Sequence, residues 1–326
     1  MLVVIAIGGK ALIAPERSLE ADAPRAGARA VVAAIADVAR NHDIVVTHGS
    51  APQVGLLAYQ SALSRQTGGY PLDIAEAEAE GLLGYLLQQA LQNELRDREV
   101  VTLLTQVQVD PDAPGFTQRR KLVGPVLAPV DAERMEQERG WRFEPDGHGL
   151  RRSVPSPEPL AIVELRSIRS AVATGTVVIC AGGGGIPVRC DADGALHGVE
   201  AVIDKDRSAA LLAALLGADL LLYLTDVPAV AADWGSAFAR PIGRVSPVDM
   251  AAHRFDETTM GPKVESACRF VNQTGKRAAI GALADVGALC AGEAGTQIVA
   301  YEFDPALAAG SMPSPAMPAG SRRPVA

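Results

Sequence analysis

The sequence predicts an α/β protein whose largely parallel sheet is covered by helices on both faces. Three observations carry that expectation. Apolar runs of strand length alternate with segments of helical period along most of the chain, the pattern of right-handed strand–helix–strand crossovers. Several of those runs lack polar alternation, as strands buried on both faces do. Glycine- or turn-rich stretches follow the runs, at the carboxyl ends of strands, where open α/β sheets bind their ligands.

The elements follow in order. LVVIAI (2–7), DIVVTH (43–48), VVTLLTQVQV (100–109), TVVICA (176–181) and DLLLYLT (219–225) read as strands, rich in aliphatic and β-branched residues. Between them, helical periodicity covers 26–40, 73–96, 162–174, 205–216 and 262–274. After the strands come GGK (8–10), HGSAPQ (48–53), GGGGIP (182–187) and TDVPAV (225–230), four loops that outline one long cleft. Residues 110–160, rich in Pro, Arg and acids, interrupt the alternation and read as a small irregular insertion or protruding flap. Residues 305–326, rich in Pro, Ala, Gly and Ser, cannot build a core and read as a disordered tail.

Bulk properties narrow the function. The 326 residues are 48% hydrophobic and 21% charged, which suits a globular chain with a large core in one domain or two lobes. Aromatics are scarce at 4%, so Ala, Val, Leu and Ile must fill that core. A formal net charge of −8 argues against nucleic acid as a partner, and any anion site must be a local gathering of Lys and Arg. Cys180, Cys190, Cys268 and Cys290 form no CxxC pair or zinc spacing, and scattered thiols of this kind stay reduced in cytosol. No apolar stretch is long enough to cross a bilayer, and the start at 2–7 is too short for a secretory core. A cytoplasmic protein without membrane contact is expected.

The motifs point to phosphates. No GxxxxGK[ST] loop is present, and GGGGIP is not GxGxxG because Pro187 stands where a helix should be under way. Four consecutive glycines, 182–185, each sacrifice roughly 0.5–1 kcal/mol against Ala inside regular structure. They read either as a flexible surface loop or as a close backbone approach to a phosphate, with the strand ahead favouring the second. Asp204, Lys205 and Asp206 open an amphipathic helix, and Lys263 follows Pro262 at the start of another. An acidic N-cap with a solvated lysine is the simple account of the first. A lysine at the unfavourable end of a helix dipole, placed there twice, suggests an anion that offsets the cost. RRKLVGP (119–125) in the flap reads as an exposed basic loop, or as a lid that brings a lysine to the cleft. The five histidines show no metal spacing, and His48 reads as a structural loop residue. Glycine loops, well-separated lysines and one orienting acid together describe phosphoryl transfer, which needs positive charge and alignment more than covalent work. An ammonium about 4 Å from a phosphate oxygen interacts by roughly 4 kcal/mol at an effective dielectric near 20.

In this light the chain resembles the carbamate kinases of the amino-acid-kinase superfamily over about residues 1–300. The stretches that carry the resemblance are IGGKAL, THGSAPQVGLL, LLGYLLQQAL, TQVQVD, KLVGP, GWRFEPDGHGLRRSVPSPEP, IVE, GGGGIPV, GVEAVIDKD, LTDV and MGPKV. The resemblance implies an open three-layer αβα sandwich over 1–304. Its acceptor side would lie in the N-terminal half and its nucleotide side from about 176, with a protruding subdomain at 110–160. It also implies a homodimer, ATP or ADP with Mg2+, and exchange between carbamate and carbamoyl phosphate, run towards ATP synthesis. Carried over by motif, Lys121, Lys205 and Lys263 would contact the transferred phosphoryl and the nucleotide, with Asp206 orienting them. Gly8, Gly9, Lys10, Gly182 and Gly183 would surround the phosphates. Gly49, Ser50 and Ala51 would line the carbamate pocket. Thr225, Val227, Val230, Met260, Gly261 and Lys263 would form the nucleotide side. The family's metal is held mainly by ATP, so no protein ligand is assigned.

Three departures mark this chain. Lys10 replaces the asparagine of GGNAL, Ser50-Ala51 replaces the Asn-Gly of THGNGPQ, and the flap lysine sits in RRKLVGP rather than TKPIGP. Lys10 is then either an extra clamp on the phosphoryl group or the sign of another acceptor. Two other readings stay open: a kinase of the same fold acting on another small carboxylate, and a nucleotide-binding regulator without catalysis.

Overall fold

The computed structural model describes residues 1–12, 23–64, 68–113, 116, 120–236, 238–256 and 258–300, without the side chains of Lys10 and Ala11. The expected tail at 305–326 lies outside the described residues. β1 (Leu2–Ile7) leads through a turn at Gly9–Leu12 to α1 (Ala23–Asn41), β2 (Asp43–His48), α2 (Ala51–Leu63), α3 (Leu72–Glu94) and β3 (Val100–Leu103). Next come β4 (Gln106–Gln108), β5 (Arg120–Leu127), α4 (Pro129–Arg139), β6 (Phe143–Asp146), β7 (Gly149–Pro155) and β8 (Ala161–Ile162). They are followed by α5 (Leu165–Ala173), β9 (Val177–Cys180), β10 (Ile186–Cys190), β11 (Leu196–Gly198), α6 (Lys205–Leu216) and β12 (Leu220–Thr225). The described chain closes with β13 (Ala231–Ala232), β14 (Arg240–Pro241), β15 (Arg244–Val245), α7 (Pro247–Met250), α8 (Met260–Thr274), β16 (Arg277–Ala282), α9 (Val286–Ala291) and β17 (Thr296–Ile298).

The central sheet runs β15-β17-β16-β12-β1-β2-β9-β3 and is parallel at every pairing except β16–β17. Its strands alternate between two buried faces. Val4, Ala6, Val45, Val178, Leu221 and Tyr223 pack with α5, α6 and α8, while Val3, Ile5, Ile7, Ile44, Val46 and Ile179 pack with α1, α3 and α9. Both sides of the pleat are therefore apolar, which explains the missing polar alternation. In register, Ile7 lies between His48 and Leu224, so the loops after β1, β2 and β12 leave from one edge.

Beyond that edge stands the flap, an antiparallel sheet β5-β7-β6 with α4. Val123 and Val154 from it join Val54, Ala58, Leu72, Ala75 and Ala79 of α2 and α3 in a third cluster. The contact between α2 and β5 is glycine against glycine. A Cβ on Gly55 would stand 2.1 Å from the Gly124 nitrogen, and Gly124 itself has φ +76°.

Among the departures from the sequence reading, four concern the elements around the site. The run 100–109 is two strands in different sheets, because buried Thr105 turns the chain: its N–H donates to Glu80 and its carbonyl takes the Ile186 N–H. The helix read from 162 begins at Leu165, since Ile162 pairs with Val107 and the Glu164 carboxylate accepts from Gln106. α2 was hidden by its turn-like HGSAPQ start, although Pro52 is harmless in a first helical turn. β16 was not foreseen at all. Among the described residues no helix is long and apolar enough to cross a membrane.

Gly55→Ala should destabilise the protein by about 1–3 kcal/mol, as overpacked sites do, and lift β5 off α2. Denaturant unfolding measures the loss, and an unchanged midpoint would mean that this crossing has slack.

Candidate active site

The site is built at the edge where β1, β2 and β12 end. Gly8 does not offer a free donor as expected, because its N–H already donates to Leu224 O at 3.1 Å, an extension of the β1–β12 ladder. Gly9 meets Gly49: a Cβ on Gly49 would lie 2.9 Å from the Gly9 nitrogen and 3.1 Å from Lys205 Cδ. The two loops thus pass backbone to backbone beside a lysine arm, which only residues without side chains permit. The backbone of Lys10 lies in the following turn, and the expectation for its side chain falls outside the described residues.

The lysines converge on the start of α6. Asp204 is the N-cap, accepting from Asp206 N at 2.9 Å and Arg207 N at 3.4 Å, and it also takes Lys121 Nζ at 3.1 Å. Lys121 reaches Ile203 O as well, at 3.3 Å, so the flap is tied to the same turn. Two residues after Asp204, Asp206 accepts Lys205 Nζ on Oδ1 and Lys263 Nζ on Oδ2, the latter at 3.1 Å. Its carboxylate is only 4% exposed, between ammonium groups 10% and 13% exposed. Tyr223 on β12 donates its hydroxyl to Asp206 O at 2.7 Å, and Ser208 donates to Gly184 O at 2.7 Å; these bonds fix α6 against the sheet and the glycine loop.

Charge balance follows from this geometry. Burial lowers Lys205 to about 8, with Asp206 pulling it up and Lys263 pushing it down. Burial also works against the Lys263 ammonium, but Asp206 outweighs it and the net movement is upward. For Asp204, burial opposes ionisation, yet Lys121 and Lys205 hold its carboxyl well below the usual carboxylate range. The acidic N-cap and the orienting acid are thus two different residues.

The glycine loop does something other than expected. Ala181 has φ +49°, and Gly183, Gly184 and Gly185 have φ +67°, +106° and +90°, so the turn needs glycine for its backbone alone. It packs on buried side chains rather than standing open for a phosphate. Gly182 N–H donates to Glu80 Oε1 at 2.9 Å, and a Cβ there would lie 2.5 Å from the His48 ring. A Cβ on Gly183 would lie 1.8 Å from Glu76 Oε1 and 2.1 Å from Ser50 Oγ. The Gly182 N–H, expected near the phosphates, is thus engaged by Glu80. Burial drives Glu76 up to about 7 and Glu80 well above the usual range, and it pushes His48 down to about 4. Sequence reading missed Glu76 and Glu80. Their i, i+4 spacing puts them on one face of α3, while Glu78 between them is exposed.

Thr225 ends β12 and is partly exposed, as is Val227 after it, and Met260 and Gly261 form the first turn of α8. Gly261 N–H donates to Asp256 O at 2.7 Å. Val230 differs from expectation: its side chain is 0% exposed in the core, and its N–H is held by Thr296 Oγ1. It supports the loop from behind and lines no cleft.

Comparison with known proteins accords with this arrangement. The sequence profile of the amino acid kinase family matches residues 1–282. The chain belongs to the amino acid kinase family. Its relatives there are carbamate kinases. That of Rhizobium meliloti (strain 1021) is 48% identical over 301 residues, spanning 91% of this chain and 93% of that protein. That of Escherichia coli (strain K12) is 42% identical over 295 residues, spanning 90% and 98%. A solved carbamate kinase from Giardia lamblia bound to AMP-PNP superposes with a TM-score of 0.82 at 32% identity, over 92% of this chain and 98% of that one.

For this member of the family, Asp206→Asn should leave two buried ammonium groups without their shared counter-charge. The expected loss is about 3–5 kcal/mol of stability at neutral pH, typical of a broken buried pair, and Lys205 should titrate below its present position. Lysine side-chain NMR with denaturant unfolding checks both; parent-like values for each would remove Asp206 from the centre of the cluster.

Proposed function

We propose that this chain is a carbamate kinase, a phosphotransferase that exchanges a phosphoryl group between ATP and carbamate and runs towards ATP synthesis. The observation that carries the reading is the convergence of Lys121, Lys205 and Lys263 on Asp204 and Asp206, beside the Gly9–Gly49 contact. In the ATP-forming direction a β-phosphate oxygen of ADP attacks the phosphorus of carbamoyl phosphate. The bond from that phosphorus to the bridging oxygen breaks, and carbamate leaves with the electron pair.

Lys205 and Lys263 would hold the equatorial oxygens of the migrating group, where stabilisation in the transition state is most effective. Asp206 keeps the two ammonium groups adjacent and aimed. Lys121, delivered by the flap, would exchange Asp204 for phosphoryl oxygens when substrate arrives. Carbamate would sit at the backbone of Gly49, Ser50 and Ala51, and the nucleotide against Thr225, Val227, Met260 and Gly261. Mg2+ arriving with the nucleotide would supply further charge neutralisation, and both carboxylates of the cluster are already engaged by lysines, which suits a metal that brings its own phosphate ligands.

The same reading includes a homodimer and a cytoplasmic setting. β3 is one of the two edge strands of the central sheet, and half-exposed Tyr85 and Leu104 line a shallow depression beside it. All four cysteines are free thiols, in keeping with a reducing compartment.

ATP formation from carbamoyl phosphate and MgADP tests the function directly, and folded protein without turnover would overturn it. Lys205→Ala and Lys263→Ala should each lower kcat by at least about a hundredfold, near 2.7 kcal/mol of barrier. In the parent, kcat/KM should fall as pH rises through about 8, where Lys205 loses its charge. Stability should not fall with it. The unfolded lysine, ordinarily near 10.5, binds its proton more tightly than the folded one, so stability rises between about 8 and 10.5. A kcat/KM profile flat through that range would remove Lys205 from the phosphoryl contact.

A further inference from the structure

Ser50 stands at the N-cap of α2, where a serine hydroxyl ordinarily turns to the N–H of the second or third helical residue. Here it does not. Its hydroxyl donates to Glu76 Oε1 at 2.5 Å, no side chain caps α2, and its backbone at φ −133°, ψ 0° is off the extended geometry of a capping residue. Pro52 has no N–H, and the Val54 N–H is taken by Ser50 O at 2.9 Å. The N–H groups of Ala51 and Gln53 make no hydrogen bond to any described residue.

Around this open terminus lie polar atoms that are buried and unpartnered among the described residues. They are both amide atoms of Gln53, both ring nitrogens of His48, and Glu76 Oε2. Gln53 is 7% exposed, and His48 and Glu76 are 0% exposed. Buried polar groups of this kind are nearly always satisfied in a working site, and a helix N-terminus is suited to an anion. The terminus adjoins Gly49, against which the Lys205 arm runs.

We propose that Glu76 is a positioning residue for the phosphoryl acceptor: by holding the Ser50 hydroxyl off the α2 terminus, it leaves the Ala51 and Gln53 N–H groups open to a small carboxylate-type anion. The inference rests on the carbamate kinase reading of the same site. The protonation of Glu76 is consistent with it. Burial raises that carboxyl to about 7, against Ser50 and Lys121, so near neutral pH much of it carries no charge to repel an anion. The other titratable groups gathered there are Glu80 on the same helix, His48 at the end of β2, Lys121 from β5 and Lys205 from α6.

Steady-state ATP formation from carbamoyl phosphate, with ADP affinity from calorimetry, tests the proposal in parent, Glu76→Leu, Glu76→Gln and the double variant Glu76→Leu/Ser50→Ala. With leucine, the freed hydroxyl can cap α2. KM for carbamoyl phosphate should rise about tenfold, the scale of one hydrogen bond to a charged group, with kcat and ADP affinity little changed. Glutamine keeps an oxygen for Ser50 and should hold most of the parent KM. The double variant has no hydroxyl to compete and should recover acceptor affinity relative to Glu76→Leu, the non-additivity expected of coupled neighbours. Glu76→Ala carries the same comparison if leucine overfills the site and the protein does not fold.

A parent-like KM in Glu76→Leu, or a double variant as impaired as Glu76→Leu, overturns the positioning role and leaves the function standing. A parent without turnover on carbamoyl phosphate removes the function and this inference together.

Discussion

Everything at the site depends on one carboxylate shared by two ammonium groups. Lysines brought together in a poorly hydrated cleft repel one another, and desolvation adds to the cost. Asp206 offsets both with its two oxygens, one for Lys205 and one for Lys263. Asp204 does the same for Lys121 while capping the helix that carries the set. The result is a cluster of three ammonium groups and two carboxylates in which most of the positive charge is compensated. Because Lys205 and Asp206 are consecutive residues of α6, any shift of that helix would move both together and preserve their contact.

The rest of the fold holds α6 where the cluster requires it. Tyr223 fixes it to the sheet, Ser208 to the glycine loop, and the apolar face of the helix to the cluster that includes Ala209, Leu212 and Ala213. Lys121 comes from a different layer, on a strand whose path over α2 is set by the Gly55–Gly124 crossing. Arg152 adds a second tie: it stacks over Trp141 at 3.7 Å and pairs with Glu200 at 2.8 Å, and Glu200 also takes the Leu72 N–H that begins α3. The flap is therefore anchored at its base by buried and stacked contacts. From the same base it sends the partly exposed Lys121 ammonium to Ile203 O and Asp204.

Much of this was legible in the sequence, and the limits have physical causes. β1 and β2 match their apolar runs because both faces of the strands are buried, and α6 was readable from its acidic N-cap and its period. Residues 76–80 defeated the same reasoning. An Ala/Glu alternation looks like a solvated helix face, and only the fold reveals that Glu76 and Glu80 point inward while Glu78 points out. The four glycines show a related limit. Sequence identifies a place without side chains, but not whether the vacated space belongs to a ligand or to the protein's own buried carboxyls. Thr105 illustrates a third limit, since a strand that changes sheets midway keeps its β-forming residues throughout.

The departures at 50 and 51 look different once the structure is considered. Ala51, which stands where the THGNGPQ pattern has glycine, is the first residue of α2 and has no positive φ. A helix former there needs no such freedom. Ser50 has a shorter hydrogen-bonding arm than the asparagine of that pattern, and the arm has a specific partner in Glu76. The three residues belong together: Ala51 starts the helix, Glu76 receives the hydroxyl, and Gly183 leaves room for both oxygens, since any Cβ there would collide with them. A glycine loop packed against an acid and a serine makes sense only if that pair has to stay in place. On this view the changes around the acceptor loop are parts of one local solution, and the lysine–carboxylate cluster beside it needs no alteration to work with it.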